Sequence, residues 1–162
     1  MAERMSDVLK VVVTSILPYL ELRGAIPLAC GLGFSAFEAY LLAVVGNMIP
    51  VVPIMIFFDP ATRWCSKFPL CKRFFDRLRE RNQRHAPQVQ KYGFWGLALF
   101  VAVPLPMTGA WSGAAIAFLL GMRKRIAFAS IFLGVLIAGI IVTILTYGLE
   151  VFVNWILRIV LS

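Results

Sequence analysis

The chain has 162 residues, of which 60% are hydrophobic and only 15% are charged. An ordinary soluble domain has about 45–50% apolar and about 25% charged residues. The composition therefore excludes a disordered chain, a coiled coil and almost any soluble enzyme of this size, and it predicts an all-α integral membrane protein. Sixteen Lys and Arg against eight Asp and Glu leave a net charge of +8. In a membrane protein this excess governs orientation and attraction to anionic headgroups.

The spacing of cysteine and histidine predicts no metal site. Three cysteines are too few for a disulfide scaffold, and Cys65 and Cys71 lack the nearby partners that zinc needs. No nucleophile and base stand in a catalytic pattern, so we predict neither an enzyme nor a cofactor. The apolar run 11–20 resembles a signal peptide, but Glu21 and Arg23 interrupt the approach to a cleavage site, and we expect no cleavage.

The first apolar block, residues 8–58, contains a short arm, a polar break at 21–24, a second short arm and a long segment at 36–58. A helix rises about 1.5 Å per residue, so the long segment can cross about 30 Å of hydrocarbon. Each short arm has about 10–13 residues and reaches roughly half as far. Two such arms around a break predict a re-entrant helical hairpin, which enters and leaves the bilayer on one side.

The middle segment, residues 59–92, carries nine Lys and Arg against three acidic residues, which predicts a cytoplasmic linker. Asp59 and Pro60 are suited to begin a helix there. From 69 to 84, apolar residues share one face and basic residues cover the rest, which predicts an amphipathic helix on membrane lipids with anionic headgroups. RNA binding is the alternative, but neither stacking aromatics nor a motif supports it, so we predict no nucleic-acid partner.

The second apolar block, residues 93–147, repeats the order of the first. It has an arm at 93–103, a break at 104–109, an arm at 110–121 and a long segment at 126–147. Glycines recur at matching places in the two blocks, in the pairs Gly24 and Gly109, Gly33 and Gly121, and Gly46 and Gly134. The shared order and the glycine pairs predict an internal repeat.

The basic cluster 123–125 decides between two topologies for the second block. If residues 93–121 crossed the membrane once, this cluster would lie outside, against the positive-inside rule. A re-entrant hairpin returns it to the cytoplasm. The predicted fold is thus two opposed re-entrant helical hairpins plus two full transmembrane helices in an inverted repeat, joined by the basic amphipathic linker. Residues 148–162 are too few to cross alone and are predicted to form a C-terminal interfacial helix.

Two charged residues lie inside the first hairpin and mark the candidate site. Glu21 and Arg23 are the charges between Lys10 and Glu38, and the hairpin places them near mid-membrane. Because burying a charge in a bilayer is costly, such residues indicate a functional site. Arg23 suits a phosphate or carboxylate, and Glu21 suits a proton carrier. The alternative is a mutual pair that pins the hairpin, which requires unwound backbone because residues i and i+2 diverge on a helix.

The second break supplies further candidate groups. The arms that begin at Gly24 and Gly109 are expected to point their N-terminal amides into one cavity, which favours an anion. Trp111 forms either a wall for an apolar chain or a packing contact. Asn47 either contacts the site or hydrogen-bonds a neighbouring helix. Hydroxyl donors at the second break come from Thr108 and Ser112.

Three strings of residues carry a resemblance: Glu21-Leu22-Arg23-Gly24-Ala25-Ile26-Pro27, Gly46-Asn47 and Pro104-Leu105-Pro106-Met107-Thr108-Gly109-Ala110-Trp111. They resemble the small multi-drug export protein family over nearly the whole chain, a family considered related to the DedA (VTT-domain) membrane proteins. DedA members have facing re-entrant hairpins and are implicated in moving polyprenyl phosphate or phospholipid across the bilayer with proton coupling. The resemblance implies site roles for Glu21, Arg23, Gly24, Pro27, Pro104, Pro106, Thr108, Gly109 and Trp111.

These residues and the resemblance together predict a transporter in the inner (plasma) membrane of a prokaryotic cell. We expect a homodimer, because so small a chain can hardly enclose a pathway alone. The first predicted function is proton-linked translocation or flipping of an amphiphilic anion, such as a lipid phosphate, through a cavity between the hairpins. One alternative is export of small lipophilic cations, with Glu21 as the cation and proton site. The other is a non-transporting membrane-shaping or assembly protein that uses the basic helix.

Overall fold

The computed structural model describes residues 2–65, 92–105 and 108–160, and the regular structure in these ranges is entirely helical. The all-helical prediction is therefore confirmed, while the helix predicted at 69–84 lies outside the described residues. Seven helices lie in the described ranges: α1 (Ala2–Ile16), α2 (Glu21–Gly31), α3 (Ala36–Met48), α4 (Val51–Cys65), α5 (Tyr92–Ala102), α6 (Ala110–Leu119) and α7 (Lys124–Val160).

Among the described residues, two segments are long and apolar enough to cross a membrane. They are Ala36–Phe57, made of α3 and the first half of α4, and Lys124–Val153 of α7. These are the two long segments that the sequence predicts. A turn at Ile49 and Pro50 separates α3 from α4, because proline has no N–H to donate and its ring crowds the preceding turn.

The first break lies at residues 17–20, four residues before the predicted position at 21–24. Pro18 explains this, because proline disfavours a helical conformation in the residue before it and cannot donate to the preceding turn. Glu21 begins α2 instead, and Pro27 is accommodated inside that helix. The predicted break at 21–24 is therefore wrong, because Leu22, Arg23 and Gly24 lie inside α2.

The second break, residues 103–109, separates α5 from α6 close to the predicted position. Gly109 is the N-cap residue of α6, whereas Leu20 is the N-cap residue of α2. Gly24 is the fourth residue of α2. The predicted equivalence of Gly24 and Gly109 is therefore wrong, because the two glycines occupy different positions relative to their helices.

Two predicted helix boundaries are absent. Helix α4 continues through Asp59 and Pro60, the residues predicted to begin a new helix, and ends at Cys65. Helix α7 continues through Gly148 to Val160, so this stretch extends the long helix and is not the separate interfacial helix predicted for residues 148–162. A glycine inside a helix costs only about 1 kcal/mol relative to alanine, which the helical residues on both sides outweigh.

Helices α1 and α2 form a hairpin that returns the chain to the end where it began. Arg4, near the start of α1, pairs with Glu38 in the first turn of α3 at 2.8 Å and lies over the Phe34 ring. Gly33 closes the turn with a φ of +79°, a left-handed conformation that glycine adopts without strain. A capping box between Ser35 and Glu38 then begins α3.

Helices α5 and α6 form a second hairpin of the same kind. Gly93 lies beside Met122, since a Cβ at Gly93 would be 3.5 Å from the Met122 sulfur. The Ser130 hydroxyl of α7 donates to the Phe94 carbonyl of α5. Gly121 closes the turn with a φ of +60°. In both halves, the start of the hairpin thus lies beside the helix that follows it.

Helices α3 and α7 run antiparallel, with the hairpins at opposite ends. The Tyr147 hydroxyl donates to the Phe34 carbonyl at 2.7 Å, and the Tyr40 hydroxyl donates to the Leu136 carbonyl at 3.4 Å. The first hairpin therefore opens beside Tyr147 and the second beside Ser130. Along α7 these two positions are about 25 Å apart at 1.5 Å per residue.

The two halves also pack their long helices in the same way. Gly46 of α3 packs against α1, and Gly134 of α7 packs against α5. At each glycine, a Cβ would lie within 3.1 Å of one side chain and of the carbonyl three residues before it. The contacted residues are Ser15 and Val12 in the first half, and Val101 and Ala98 in the second. Two of the three predicted glycine pairs thus occupy equivalent positions.

Small residues fill the interior where α2, α3 and α6 meet their neighbours. Fully buried alanines lie at this centre: Ala25, Ala29, Ala39, Ala43, Ala110 and Ala114. Small side chains let helix backbones approach closely, which is how helices associate in lipid, where apolar burial itself gives no driving force. The outer faces carry large apolar side chains, among them Phe37, Ile56 and Ile144. This distribution suits a membrane protein.

Candidate functional site

The two breaks meet between the hairpins, and we call this contact the junction. The Trp111 indole N–H donates to the carbonyl of Ile16, the last residue of α1, at 3.0 Å. In the other direction, Glu21 and Arg23 at the start of α2 contact the second break and the helix that follows it. The junction therefore joins the halves of the chain through groups from both.

Glu21 places its carboxylate on the N-terminus of α6 and is only 5% exposed. Its Oε1 lies 3.5 Å from the backbone N of Trp111, and the Ala110 N–H also donates to the carboxylate. The N-terminus of a helix carries roughly half a positive charge, which stabilises an anion there. Gly109 makes the approach possible, because a Cβ at this position would overlap the Glu21 carboxylate.

Glu21 holds this position with a strained backbone. Its φ is +48°, and no other described residue except glycine has a positive φ. The left-handed conformation costs an ordinary residue about 1–2 kcal/mol. Strain of this kind persists where surrounding contacts hold it, and it is typical of sites that bind or switch.

Arg23 binds the other end of the second break. Its Nη2 lies 2.8 Å from the Thr108 carbonyl, 2.9 Å from the Thr108 hydroxyl and 3.3 Å from the Val103 carbonyl. Val103 directly follows α5, so the guanidinium lies at the negative end of that helix. The Arg23 Nε is buried and has no hydrogen-bond partner among the described residues.

Glu21 and Arg23 do not pair with each other. In the part of the chain that the structure describes, the ion pairs are Arg4 with Glu38 and Lys10 with Asp7. Glu21 begins α2 with a left-handed φ and Arg23 lies two residues later, and the two side chains reach different ends of the second break. The alternative of a mutual pair in unwound backbone is therefore wrong.

A cavity of about 290 Å³ lies at the junction, lined by Pro18, Tyr19, Glu21, Trp111 and Ser112. The lining residues carry one carboxylate, two hydroxyls and two aromatic rings. Tyr19 is 86% exposed, so the cavity opens to the surface beside it. A carboxylate and aromatic rings in one cavity attract a cation through charge and through the ring faces. Within the described ranges, no three His, Cys, Asp or Glu side chains group as metal ligands.

Trp111 and Ser112 each have two roles. The Trp111 ring lines the cavity while its indole N–H bonds Ile16, so both interpretations of this residue hold. The Ser112 hydroxyl accepts from the Gly109 N–H at 3.0 Å and lines the same cavity. The first turn of α6 thus makes contacts that stabilise the fold and also forms part of the cavity wall.

Besides Arg23, Asn47, Thr108 and Gly109, three predicted site residues lie outside the cavity lining. Gly24 is half-buried inside α2, and Pro27 is exposed on that helix. Pro104 is half-buried in the second break. Pro106 lies outside the described residues, so its predicted role stays a prediction.

Asn47 is fully buried in α3, and its side-chain oxygen and nitrogen have no hydrogen-bond partner among the described residues. The predicted hydrogen bond to a neighbouring helix is therefore absent. One turn earlier, the Ala43 carbonyl accepts a bond from the Ser15 hydroxyl of α1. Asn47 thus lies near the end of α1 and is not among the lining residues of the cavity.

Pro18 and Tyr19 line the cavity although the sequence argument placed them inside the first arm. Pro18 carried the signal that would have found them, because a proline within an apolar helical run marks a probable helix end. With the break at 17–20, the residues of that break become natural candidates for the lining. No comparable signal in the sequence indicates that the Arg23 guanidinium lies off the cavity.

Comparison with protein families matches residues 21–141 to the family described as Putative small multi-drug export protein. The match covers about three quarters of the chain, so the chain belongs to this family. It includes Glu21, Arg23 and the whole second break. No curated protein and no solved structure matches the chain. The relationship to the DedA proteins stays a prediction.

The Thr108 hydroxyl is predicted to stabilise the junction. It accepts a bond from the Arg23 guanidinium at 2.9 Å and from the Leu105 N–H at 3.2 Å. Thr108→Val keeps the side-chain shape but removes these two bonds and the hydroxyl's own donation to the carbonyls of Val103 and Leu105, so the free energy of unfolding should fall by about 1–3 kcal/mol in denaturant titrations. Thr143→Val is the matched control, because that hydroxyl is buried without a partner among the residues that the structure describes. Equal losses in the two variants would contradict the stabilising role of Thr108.

Proposed function

We propose that this member of the small multi-drug export family exports small lipophilic cations through the cavity at the junction, in exchange for protons on Glu21. One observation carries the proposal: the Glu21 carboxylate lines the cavity, and Arg23 is not among the lining residues. An organic cation there is attracted by the carboxylate and by the faces of Tyr19 and Trp111. The volume of about 290 Å³ is at the lower end for ligand pockets, which suits a small cargo.

The same contacts disfavour the anion that the sequence alone puts first. An anion site needs the N-terminus of α6 and the Arg23 guanidinium to be available. Glu21 already covers that N-terminus, and Arg23 donates to carbonyls and a hydroxyl of the second break. Flipping of a lipid phosphate is our second candidate, supported by the buried and unpartnered Nε of Arg23.

We also propose that the two hairpins are re-entrant and form an inverted repeat. The antiparallel long helices, the hairpin openings at opposite ends and the equivalent glycine contacts support this. From Arg4 to Ile16, α1 rises about 18 Å, and from Phe94 to Ala102, α5 rises about 12 Å. Together the two lengths equal the roughly 30 Å of a hydrocarbon core, which supports a junction near mid-membrane.

Charge and size support the remaining proposals about placement. The positive-inside rule supports a cytoplasmic location for residues 59–92 in the inner membrane of a prokaryotic cell, with anionic headgroups bound at 69–84. A chain of 162 residues supports a homodimer, because it can hardly enclose a pathway alone. We propose neither an enzymatic activity nor a cofactor. A membrane-shaping role ranks below transport, because it does not account for the cavity or for the carboxylate that lines it.

The opposed topology predicts labelling from opposite sides of the membrane. Ser35 and Arg123 are exposed at the openings of the first and second hairpins. Single cysteines at these positions, in a protein without its three native cysteines, should react with an impermeant thiol reagent from outside and inside, respectively. The measurement compares right-side-out with inverted vesicles. Labelling of both positions from outside would refute opposed re-entrant hairpins.

The cation proposal predicts different effects for the two charges at the junction. Glu21→Gln removes the negative charge at nearly constant size, so binding of benzyltrimethylammonium should weaken at least about tenfold, or ~1.4 kcal/mol. Its flux into liposomes should also lose its dependence on a pH gradient. Arg23→Gln keeps the Glu21 carboxylate and removes a positive charge that repels the cation. Cation binding should therefore be unchanged or tighter. Glu38→Gln is the control, an acid that pairs with Arg4 far from the cavity.

Hexyl phosphate serves as the anion in the same assays. If Arg23→Gln abolishes hexyl phosphate binding while Glu21→Gln retains it, the lipid phosphate candidate replaces the cation. If the folded wild type binds neither compound, both candidates fail. Thermal unfolding of each variant is measured first. If neither variant folds, the two charges serve to stabilise the fold and not to bind cargo.

A further inference from the structure

We propose that the N-terminus of α6 competes with the cargo for the Glu21 carboxylate, and that Gly109 makes this competition possible. The inference rests on the proposed function, because it concerns a cation at the same carboxylate. Glu21 reaches the first turn of α6 only because position 109 has no Cβ, which would overlap the carboxylate. Gly109 is thus a positioning residue that sets how strongly the cavity binds charged cargo.

The contact between Glu21 and α6 is weak enough for the carboxylate to leave it and bind a cation instead. The distance from Oε1 to the Trp111 N is 3.5 Å, at the outer limit of a hydrogen bond. The left-handed φ of Glu21 adds strain that opposes the contact. By contrast, Arg23 holds the Thr108 carbonyl at 2.8 Å. Of the two contacts made by the start of α2, the one at the cavity is therefore the weaker.

The cargo would reach the Glu21 carboxylate through the cavity that the first turn of α6 also lines. Glu21, Trp111 and Ser112 all line it, so a bound cation would lie beside the first turn of α6. A full positive charge attracts the carboxylate more strongly than the roughly half charge of a helix end. The Gly109 N–H has its own acceptor in the Ser112 hydroxyl. Release of Glu21 therefore leaves the N–H groups of Ala110 and Trp111 without their acceptor.

Hydrogen exchange on the wild-type protein tests this directly. Benzyltrimethylammonium should speed amide exchange in the peptide that covers Ala110 and Trp111, although binding ordinarily slows exchange near a ligand. Its uncharged carbon analogue, neopentylbenzene, should not. The first turn of α3, capped by Ser35 and Glu38, is the internal control and should not change. Slower or unchanged exchange at the start of α6 with the cation bound would overturn the inference.

Gly109→Ala tests the same point by affinity. Its Cβ should push the carboxylate off α6 and leave it to the cargo, so benzyltrimethylammonium should bind about twofold to tenfold more tightly. Gly96→Ala is the matched control, since a Cβ there meets nothing within 4 Å. Weaker or unchanged binding by folded Gly109→Ala would contradict the competition.

The outcomes separate this inference from the proposed function. A wild type that does not bind the cation rejects both. A wild type that binds it, but shows neither faster exchange at the start of α6 nor tighter binding in Gly109→Ala, rejects the competition alone. If Gly109→Ala does not fold, the exchange experiment on the wild type decides.

Discussion

Opposite charges on one turn of α2 hold opposite ends of two helices in the other half of the chain. Glu21, which begins α2 with a left-handed φ, and Arg23, two residues later, reach different partners. Glu21 meets the positive end of α6, and Arg23 meets the negative end of α5. Trp111 completes the junction by capping the end of α1. Glu21 is only 5% exposed, and such contacts are stronger where water does not compete than at a wet surface.

Helix ends leave N–H and C=O groups without partners inside the helix, so a buried end needs partners from elsewhere in the protein. The junction supplies partners for several of these groups and leaves a cavity beside them. The chemistry is nevertheless one-sided: Gly109 is the N-cap of α6, whereas Leu20 is the N-cap of α2. The charges come from the first half and the helix ends that they bind come from the second. Two similarly packed hairpins thus meet at a junction whose carboxylate, that of Glu21, comes from the first half.

Features that depend on local pattern could be predicted from the sequence. Apolar length predicts the two candidate spans, and the prolines at 104–106 predict the second break. Pro18 signals the first break, but the charged residues Glu21 to Gly24 resemble a loop more strongly until their partners are known. The Arg23 guanidinium donates to the carbonyls of Thr108 and Val103, eighty residues and more later, so the helix tolerates the charge. The choice of cation over anion depends on which charge lines the cavity, and no spacing in the sequence determines that.

A reversible cross-link across the cavity tests most directly whether cargo passes through the junction. Tyr19 and Ser112 line the cavity from the first and second halves of the chain. With cysteines at both positions in a protein without its native cysteines, a short cleavable bis-thiol reagent should stop benzyltrimethylammonium flux in liposomes. Cleavage of the link should restore the flux, and each single-cysteine variant should keep it throughout. Undiminished flux through fully cross-linked protein would contradict passage through the junction.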